Sequence, residues 1–333
     1  MRKILIINRL GIGDVVVTTP LAKLIKEYNG ANVGFVVAAK SADLLVNHPY
    51  IDDVFPYSKK NKKNIILDIR EKGYDEAIIV DDRFTSTVLA WKAKCKLLNK
   101  GFEISLGANR LFKRKLHKVK AIEDFASYIE LINPQAENHE ITAVLGNPDN
   151  TRTNYLENWL AEHKKITKKL VLVVPKSAAL NKNWPTSYFS EINDFLNAEG
   201  IIPVYIGSNG DKDYINQIKG NKINAAGLFS LRELPTIAKQ AAFAISVCTG
   251  PMHIISTVNV PTIVLYGPSD PIRWAPGNAI ILKSNLPCVP CQRLDCTLPK
   301  REQNCMELIH PEQVKQVITE QGWLISEIKE RTL

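Results

Sequence analysis

Three short polar segments of the 333-residue chain hold residues that could bind or activate a charged substrate, and each follows an apolar run. The first is RLGIGDVVVTTP at Arg9–Pro20, where Gly11 and Gly13 precede Asp14. Glycines between a strand and a helix let backbone amides approach a ligand closely. Asp14 either caps the helix that begins near it or acts as a general base on an acceptor hydroxyl. The third glycine of a dinucleotide-binding G-x-G-x-x-G motif is missing.

The second segment, PKSAALNKNWP at Pro175–Pro185, supplies two lysines in a loop that directly follows an apolar run. Lys176 and Lys182 there could neutralise a phosphate as point charges, or they could be ordinary solvated loop residues. Asp211 follows the turn GSNGD, where it either caps a helix or accepts hydrogen bonds from ribose hydroxyls.

The third segment is CTGPMH at Cys248–His253. Thr249 and Gly250 are placed to direct backbone amides at an anion, and Pro251 suits the first turn of a helix. His253 either donates a hydrogen bond to a phosphate or is a satisfied structural histidine. A lone histidine is ordinarily structural, but a second candidate anion site in the same half of the chain weakens that interpretation.

Four of the six cysteines are clustered in the sequence. Cys288 and Cys291 form C-x-x-C, and Cys296 and Cys305 complete four thiols within eighteen positions (305 − 288 + 1). Such spacing favours a tetrahedral thiolate site for zinc or iron. That site would be structural, since the protein would fill all four ligand positions. The alternative is four unrelated thiols.

Positive charge is concentrated between Arg83 and Lys120, where there are eleven Lys or Arg residues and only one acidic residue, Glu103. This basic segment is either a solvated face or a surface that docks on a phosphorylated glycolipid at an anionic leaflet. The formal net charge of the whole chain, +9 at pH 7, favours acidic partners. Nucleic acid is not expected among them, because no recognised nucleic-acid-binding module accompanies the charge.

The elements that must position these segments repeat a strand–turn–helix pattern. In the first half, we predict a helix from near Asp14 to about Tyr28 and strands at Ile4–Ile7, Val33–Val37 and Ala77–Val80. In the second half, we predict strands at Lys169–Val174, Ile201–Ile206, Ala242–Val247 and Pro261–Tyr266. Its predicted helices are Ser187–Glu199, Asp211–Ile218, Pro251–Val258 and Pro311 to about Lys329.

Fully apolar strands that alternate with helices indicate parallel sheets covered on both faces. The pattern restarts after the polar stretch 147–168. We therefore predict an α/β fold of two doubly wound, Rossmann-like domains, residues 1–160 and 161–333, which face a central cleft. Ligands are expected beyond the carboxyl ends of the strands. The second domain would carry the cysteines and a final helix that crosses back to the first.

No apolar run reaches the roughly 20 residues that a membrane-spanning helix needs. The first run is interrupted by Asn8 and Arg9, so we interpret it as a strand rather than a signal peptide. We expect a cytoplasmic protein.

Together these segments resemble glycosyltransferase family 9, whose best-known members are the lipopolysaccharide heptosyltransferases. The resemblance covers almost the whole chain. It begins at ILIINRLGIGDVVVTTPL and continues at NKNWPTSYF, LRELPTIAKQAAFAISVCTGPMHIISTVNVPTIVLYGPSDP, LPCVPCQRLDC and CMELIHPEQV. It implies a GT-B fold, with the acceptor in the first domain and the nucleotide sugar in the second.

The resemblance also implies a role for each matched residue. Asp14 matches the catalytic base of the family, Lys182 matches a lysine on the donor phosphates, and Asp211 falls at an acidic ribose contact. The donor's phosphate-binding turn and helix start match Thr249, Gly250, Met252 and His253. Gly11, Gly13 and Lys176 complete the expected binding residues.

Two positions depart from the family pattern. Cys248 stands where the family has Asp, and Lys176 stands where it commonly has Gly. Losing a carboxylate and gaining a lysine makes the expected donor pocket more positive, which leaves the choice of sugar open.

We therefore expect an inverting, metal-independent hexosyl or heptosyl transfer from a nucleotide sugar, ADP-heptose first, to a phosphorylated lipopolysaccharide or lipooligosaccharide core. No cofactor is expected for catalysis, and zinc or iron at the cysteines would be structural. The protein would make peripheral contact with the inner face of the inner membrane. One alternative is the same fold with another nucleotide sugar or a protein acceptor. The other is a non-catalytic, metal-containing protein that binds nucleic acid.

Overall fold

The computed structural model describes residues 1–98, 119–136, 141–147, 152–293, 295–296 and 304–324. Residues 99–118, which hold most of the basic segment, lie outside the described residues. The chain divides into two compact units. Unit 1 comprises Met1–Asn150, Leu231–Glu233 and Ile272–Trp274, and unit 2 comprises Thr151–Ser230, Leu234–Pro271 and Ala275–Leu333. Among the described helices, none is both long enough and apolar enough to cross a bilayer.

Unit 1 is built on a five-stranded, fully parallel sheet of order β3-β2-β1-β4-β5. Its strands are β1 (Lys3–Asn8), β2 (Asn32–Ala38), β3 (Asp53–Tyr57), β4 (Glu76–Ile79) and β5 (Lys96–Leu97). Its helices are α1 (Ile12–Asn29), α2 (Lys62–Glu71), α3 (Phe84–Lys92) and α4 (Ala121–Ala126), with 3₁₀ helices at Ala39–Leu45 and Ser127–Leu131. Ile6 in the central strand lies opposite Phe35 on one side and Ile78 on the other.

Unit 2 is built on a six-stranded parallel sheet of order β11-β10-β9-β6-β7-β8. Its strands are β6 (Val171–Val174), β7 (Val204–Tyr205), β8 (Ile223–Asn224), β9 (Phe243–Val247), β10 (Thr262–Tyr266) and β11 (Ala279–Lys283). Its helices are α5 (Thr153–Lys164), α6 (Thr186–Ala198), α7 (Lys212–Gln217), α8 (Leu234–Ala238), α9 (Gly250–Ser256) and α11 (Pro311–Glu320). The short helix α10 (Pro271–Trp274) follows β10 in the chain, and its residues Ile272–Trp274 belong to unit 1. Two 3₁₀ helices lie at Leu180–Lys182 and Asn209–Asp211.

Both sheets follow the doubly wound order. The first strand is central, the next two strands lie successively outward on one side of it, and the later strands lie outward on the other side. The central strands β1 and β6 hold the aliphatic runs Ile4–Ile7 and Val171–Val174, which are buried on both faces of the sheets. The prediction of two doubly wound parallel sheets is therefore confirmed. The point where the order reverses lies between β1 and β4 in unit 1 and between β6 and β9 in unit 2.

The polar stretch 147–168, predicted to be a junction, contains the helix α5. Leu156 and Leu160, one helical turn apart, are buried. Trp159 packs edge-on against Phe229 of unit 2, with ring centroids 4.9 Å apart. Because α5 packs in this way, unit 2 begins at Thr151 rather than at residue 161.

The final helix is shorter than predicted, since α11 ends at Glu320 rather than near Lys329. Gly322 has a positive φ of 65° and donates to the carbonyl of Thr319, while Trp323 donates to the carbonyl of Ile318. These two bonds form a Schellman motif, which ends a helix. Rather than crossing back, the described part of this segment packs within unit 2, where Trp323 stacks on Phe243. Residues 325–333 lie outside the described part.

Candidate functional site

Two of the predicted segments meet at the carboxyl ends of the central strands of unit 2. The last residue of β6, Val174, pairs in register with Ser246 of β9. Lys176 therefore follows one strand, and Cys248 follows its direct neighbour, each within two residues of the strand end. Doubly wound sheets bind ligands at this reversal of strand order.

The turn after β9 has the local geometry that its sequence predicted. Thr249 is the N-cap of α9, with extended backbone angles, and Pro251 lies in the first turn. Met252, which was predicted to bind the donor, lies in the core instead. It is fully buried, and the Tyr266 hydroxyl lies 3.8 Å from its sulfur, so it supports the turn from within the core.

Lys182 ends a 3₁₀ helix whose following residues are anchored. The Asn183 side chain accepts a 2.7 Å hydrogen bond from the amide of Ser177. The buried Trp184 indole donates to the carbonyl of Ile309 at 2.7 Å. The backbone that carries Lys182 is therefore held immediately on its C-terminal side.

Lys182 acts electrostatically on two buried groups of the turn after β9. Burial, together with the smaller effect of the positive charge of Lys182, lowers the pKa of His253 to about 4. His253 is therefore neutral near pH 7, with one ring N–H as a donor. Burial raises the pKa of the Cys248 thiol, while the charge of Lys182 and hydrogen bonds with Ser269 and Tyr266 oppose the rise. The charge of Lys182 thus reaches two buried groups of this turn, Cys248 and His253.

Lys176 and Asp211 form an ion pair at the ends of β6 and β7, with Nζ 2.8 Å from Oδ1. Asp211 Oδ2 also accepts from the amide and hydroxyl of Ser208, at 2.8 and 2.7 Å. Burial would raise the pKa of Asp211, but the hydrogen bonds from Lys176 and Ser208 outweigh burial and lower it. Lys176 Nζ also lies 5.5 Å from the ring centroid of Tyr214. Asp211 thus has the predicted capping contact, with Lys176 as an additional partner.

In unit 1, the turn after β1 carries Asp14 inside the first turn of α1. The helix begins at Ile12, and its N-cap is Gly11. The N-cap therefore lies three residues before Asp14, the residue predicted to hold that position. Asp14 Oδ2 accepts from the Gly11 amide at 3.1 Å, which is the acidic half of a capping box. A Cβ at Gly11 would lie 3.2 Å from that oxygen. Gly13 occupies the second position of the helix.

A buried ion pair that was not predicted from the sequence lies at the carboxyl end of this sheet. Arg9 Nε lies 3.2 Å from Asp81 Oδ2 and donates to Ser86 Oγ at 2.9 Å, and the two charged side chains are 4 % and 0 % exposed. Arg9 Nη2 also donates to Thr85, and the guanidinium lies 4.5 Å from the ring centroid of Tyr57. The available signal was a charged residue shortly after each of the two strands that flank the reversal.

The four clustered cysteines line one cavity of about 330 Å³ in unit 2. Burial raises the pKa of Cys305 to about 11, and the neighbouring thiols of Cys291, Cys296 and Cys288 contribute. Among the described residues, however, no three Cys, His, Asp or Glu side chains are arranged to hold a metal ion. The thiols share a cavity without coordination geometry, so the zinc or iron site stays a prediction.

Comparisons with known proteins identify a family. The family model described as glycosyltransferase family 9 (heptosyltransferase) matches residues 64–301. Lipopolysaccharide heptosyltransferase 3 of Escherichia coli is 26 % identical over an alignment of 297 positions, which covers 79 % of this chain and 83 % of that protein.

Solved structures share the fold. The glycosyl transferase family 9 protein of Veillonella parvula DSM 2008 superposes with a TM-score of 0.75, 19 % identity and 97 % coverage of both chains. E. coli ADP-heptose lps heptosyltransferase II gives a TM-score of 0.72, 19 % identity and coverages of 97 % and 98 %. The iron-containing dodecameric glycosyltransferase TibC of enterotoxigenic E. coli H10407 gives 0.61, 15 % identity and coverages of 96 % and 75 %. The range matched by the family model includes Lys182 and His253 and begins after Asp14.

Proposed function

Because the chain belongs to glycosyltransferase family 9, we propose that it is an inverting heptosyltransferase that uses ADP-heptose and a lipopolysaccharide core acceptor. The observation that carries this proposal is the cluster of Lys182, His253 and the Thr249–Gly250 turn at the carboxyl ends of β6 and β9. Unit 2 would bind the nucleotide sugar, and unit 1 would bind the acceptor. The nucleic-acid alternative is not favoured, because the family assignment accounts for the Gly-Asp turn and for the donor-side cluster.

The donor-side groups suit a leaving diphosphate. Lys182 supplies a positive charge, neutral His253 supplies one N–H, and the turn at Thr249 supplies backbone amides. Negative charge grows on the diphosphate as the bond from the anomeric carbon to its oxygen breaks. Removing one preorganised donor of this kind typically lowers kcat about 10²–10³-fold.

Asp14 would act as the general base on the acceptor. The acceptor oxygen attacks the anomeric carbon from the face opposite ADP, its proton passes to the Asp14 carboxylate, and ADP leaves with the electron pair. The first turn of α1 favours a negative charge at Asp14, because helix N-termini carry a partial positive charge. The bond from the Gly11 amide fixes one carboxylate oxygen.

The decisive test replaces Asp14 by Asn, which keeps the shape and can still accept from Gly11. We expect heptose transfer to fall at least about 10²-fold, the lower range for a general base, while ADP binding to unit 2 is unchanged by calorimetry. Near-normal transfer by this variant would remove Asp14 from the role.

A donor-side test uses Lys182→Gln, for which we expect weaker ADP binding. Lys212→Gln is the matched control, since Lys212 is an exposed lysine of the same unit. Equal losses of ADP affinity in the two variants would refute the assignment of Lys182.

Two features near the proposed donor site of unit 2 support the alternative that the enzyme uses another nucleotide sugar. Lys176 is paired with Asp211, and a neutral thiol at Cys248 stands where the family has a carboxylate. Calorimetric titration with ADP-heptose, ADP, UDP and GDP separates the possibilities. Selective binding of UDP or GDP would replace ADP-heptose as the donor and leave the family unchanged.

We also propose that unit 1 makes peripheral contact with an anionic membrane through α3. Phe84 and Trp91 lie two turns apart on this helix and are 56 % and 70 % exposed. Lys92 and Lys94 beside them are exposed as well. An exposed aromatic face flanked by lysines suits the interface of an anionic leaflet, where tryptophan is enriched and each lysine adds about 1 kcal/mol.

Sedimentation with phosphatidylcholine vesicles, with and without phosphatidylglycerol, tests the membrane contact. Binding should require phosphatidylglycerol and weaken in Trp91→Ala. Leu67→Ala is the control, because Leu67 is an exposed apolar residue on the neighbouring helix α2. Binding that is equal in all three proteins would contradict the role of α3.

A further inference from the structure

The segment that carries the four cysteines is hydrogen-bonded to both loops beside the donor-side cluster. We call the described residues 286–293, 295–296 and 304–309, which hold the four cysteines, the cysteine segment. Asn181, directly before Lys182, donates from Nδ2 to the carbonyl of Arg293 at 2.9 Å. The amide of Gln292 donates to the carbonyl of Pro268 at 2.7 Å, one residue before the Ser269 that contacts Cys248.

Two further bonds join the other end of the segment to the same part of the chain. The Trp184 indole donates to the carbonyl of Ile309 at 2.7 Å, and the Tyr188 hydroxyl donates to that of Glu307 at 3.2 Å. Lys182 therefore lies between two residues, Asn181 and Trp184, whose side chains are both bonded to the cysteine segment.

The segment also packs tightly against the loop after β10. A Cβ at Gly267 would lie 2.6 Å from the sulfur of Met306 and 3.0 Å from that of Cys305. The loop and the segment are therefore too close at this point for a side chain to fit between them. A displacement of the segment is therefore transmitted to the loop, because close-packed interiors do not absorb it in voids.

Asn181 lies at the junction of the donor loop and the thiols. It lines the cavity of the four cysteines, and its Oδ1 is buried without a hydrogen-bond partner among the described residues. A buried acceptor left unsatisfied is unfavourable, so a rearrangement that gives Asn181 Oδ1 a donor would be favoured at this point.

Binding of a thiophilic cation would require the thiols to rearrange. The four thiols share the cavity, but no three ligand side chains of the described residues are in place to hold a metal ion. Gln292 and Arg293 lie between Cys291 and Cys296 in the chain, so a backbone movement that draws those thiols together acts on the two bonds to Pro268 and Asn181.

We propose that the cysteine segment is a positioning element of the donor site, so that a divalent cation on its thiols and ADP near Lys182 bind cooperatively. The inference rests on the proposed function, since it takes the Lys182 loop to be part of the donor site. A cation would fix the segment and preorganise the loop, which lowers the ordering cost of binding ADP. The coupling is reciprocal, and we expect a factor of about five, the lower end of typical values.

The experiment titrates the reduced protein with ADP in the absence and presence of zinc, and with zinc in the absence and presence of ADP, by calorimetry. Zinc should tighten ADP about fivefold, and ADP should tighten zinc by the same factor. This readout needs no acceptor and no turnover.

Three variants locate the coupling. Asn181→Ala removes the bond to Arg293, so it should keep zinc binding and lose the coupling. Asn278→Ala is the matched control, because Asn278 likewise donates from Nδ2 to a carbonyl, that of Val260, at 3.1 Å. It should keep the coupling. Cys296→Ser, at an exposed thiol, should lose tight zinc binding and the effect of zinc on ADP.

The outcomes separate this inference from the proposed function. Measurable ADP binding that zinc does not change, or a coupling that survives Asn181→Ala, would overturn the inference alone. Binding of ADP by a protein that does not bind zinc would also overturn only the inference. Failure of both ADP and ADP-heptose to bind under every condition would overturn the proposed function, and the inference with it.

Discussion

Neutralising Asp81 should destabilise unit 1 far more than an ordinary loss of an ion pair. Asp81→Asn keeps the side-chain shape but leaves Arg9 as a buried charge without a counter-charge. Asp81 Oδ2 accepts from the Arg9 amide, the Arg9 guanidinium and Ser86, and Oδ1 accepts from the amide of Arg83. Asparagine can accept only through one side-chain oxygen.

The size of the effect follows from burial. The Asp81 side chain is 0 % and that of Arg9 4 % exposed, so water cannot replace the lost charge. Removing one partner of a buried pair costs about 3–5 kcal/mol, against a total stability of about 5–15 kcal/mol for a typical domain. We therefore expect the free energy of unfolding of unit 1 to fall by about 3–5 kcal/mol.

Native-state hydrogen exchange of peptides from β1 and β4 measures this quantity for unit 1 without assuming that the whole chain unfolds in one step. Lys26→Gln is the control, because it breaks a pair with Asp52 whose side chains are 30 % and 36 % exposed. It should cost no more than about 1 kcal/mol. The double variant Arg9→Met/Asp81→Asn should recover part of the loss, since it leaves no unpaired charge and keeps a side-chain oxygen as acceptor. A change for Asp81→Asn as small as that for Lys26→Gln would refute this reasoning.

Three other outcomes are expected. Lowering the pH from about 7 to about 5 should reduce the free energy of unfolding, because burial lowers the pKa of His48 and of His253 from 6.5 to about 4. Between pH 6.5 and about 4, the unfolded chain binds protons that the folded chain does not bind. This contribution to the free energy of unfolding is therefore present above pH 6.5 and is lost as the pH falls toward 4; a pH-independent urea midpoint would contradict it. Gly34→Ala should cost about 1–3 kcal/mol by thermal denaturation, because its Cβ would lie 2.6 Å from the Tyr74 ring, whereas Gly277→Ala, with nothing within 4 Å, should be nearly neutral. Metal analysis of protein purified without chelator should find about one zinc or iron per chain, and far less metal with four free thiols would count against the cysteine site.

The central strands were predictable because their residues are apolar on both faces. The run Ile4–Ile7 extends in the structure only to Lys3 and Asn8. The edge strand β3 was not predicted, since Asp53 and Pro56 break the apolar pattern. An edge strand tolerates proline because one row of its backbone groups pairs with nothing.

The candidate site was predictable where its signal is local. The turn at Thr249 and the loop at Lys182 both follow apolar runs and carry recognisable motifs. Arg9 and Asp81 are 72 residues apart in the chain, and no local pattern links such partners. The bond from Asn181 to Arg293 spans 112 residues and depends on how the cysteine segment packs, which spacing alone does not specify.

The strand order has a consequence for synthesis on the ribosome. In each sheet the strand that emerges first becomes the centre, the next two are added outward on one side, and the remaining strands are added outward on the other. No strand has to be inserted between two that are already paired. Each half of the chain can therefore assemble its sheet vectorially as it is made, with every new strand meeting an open edge.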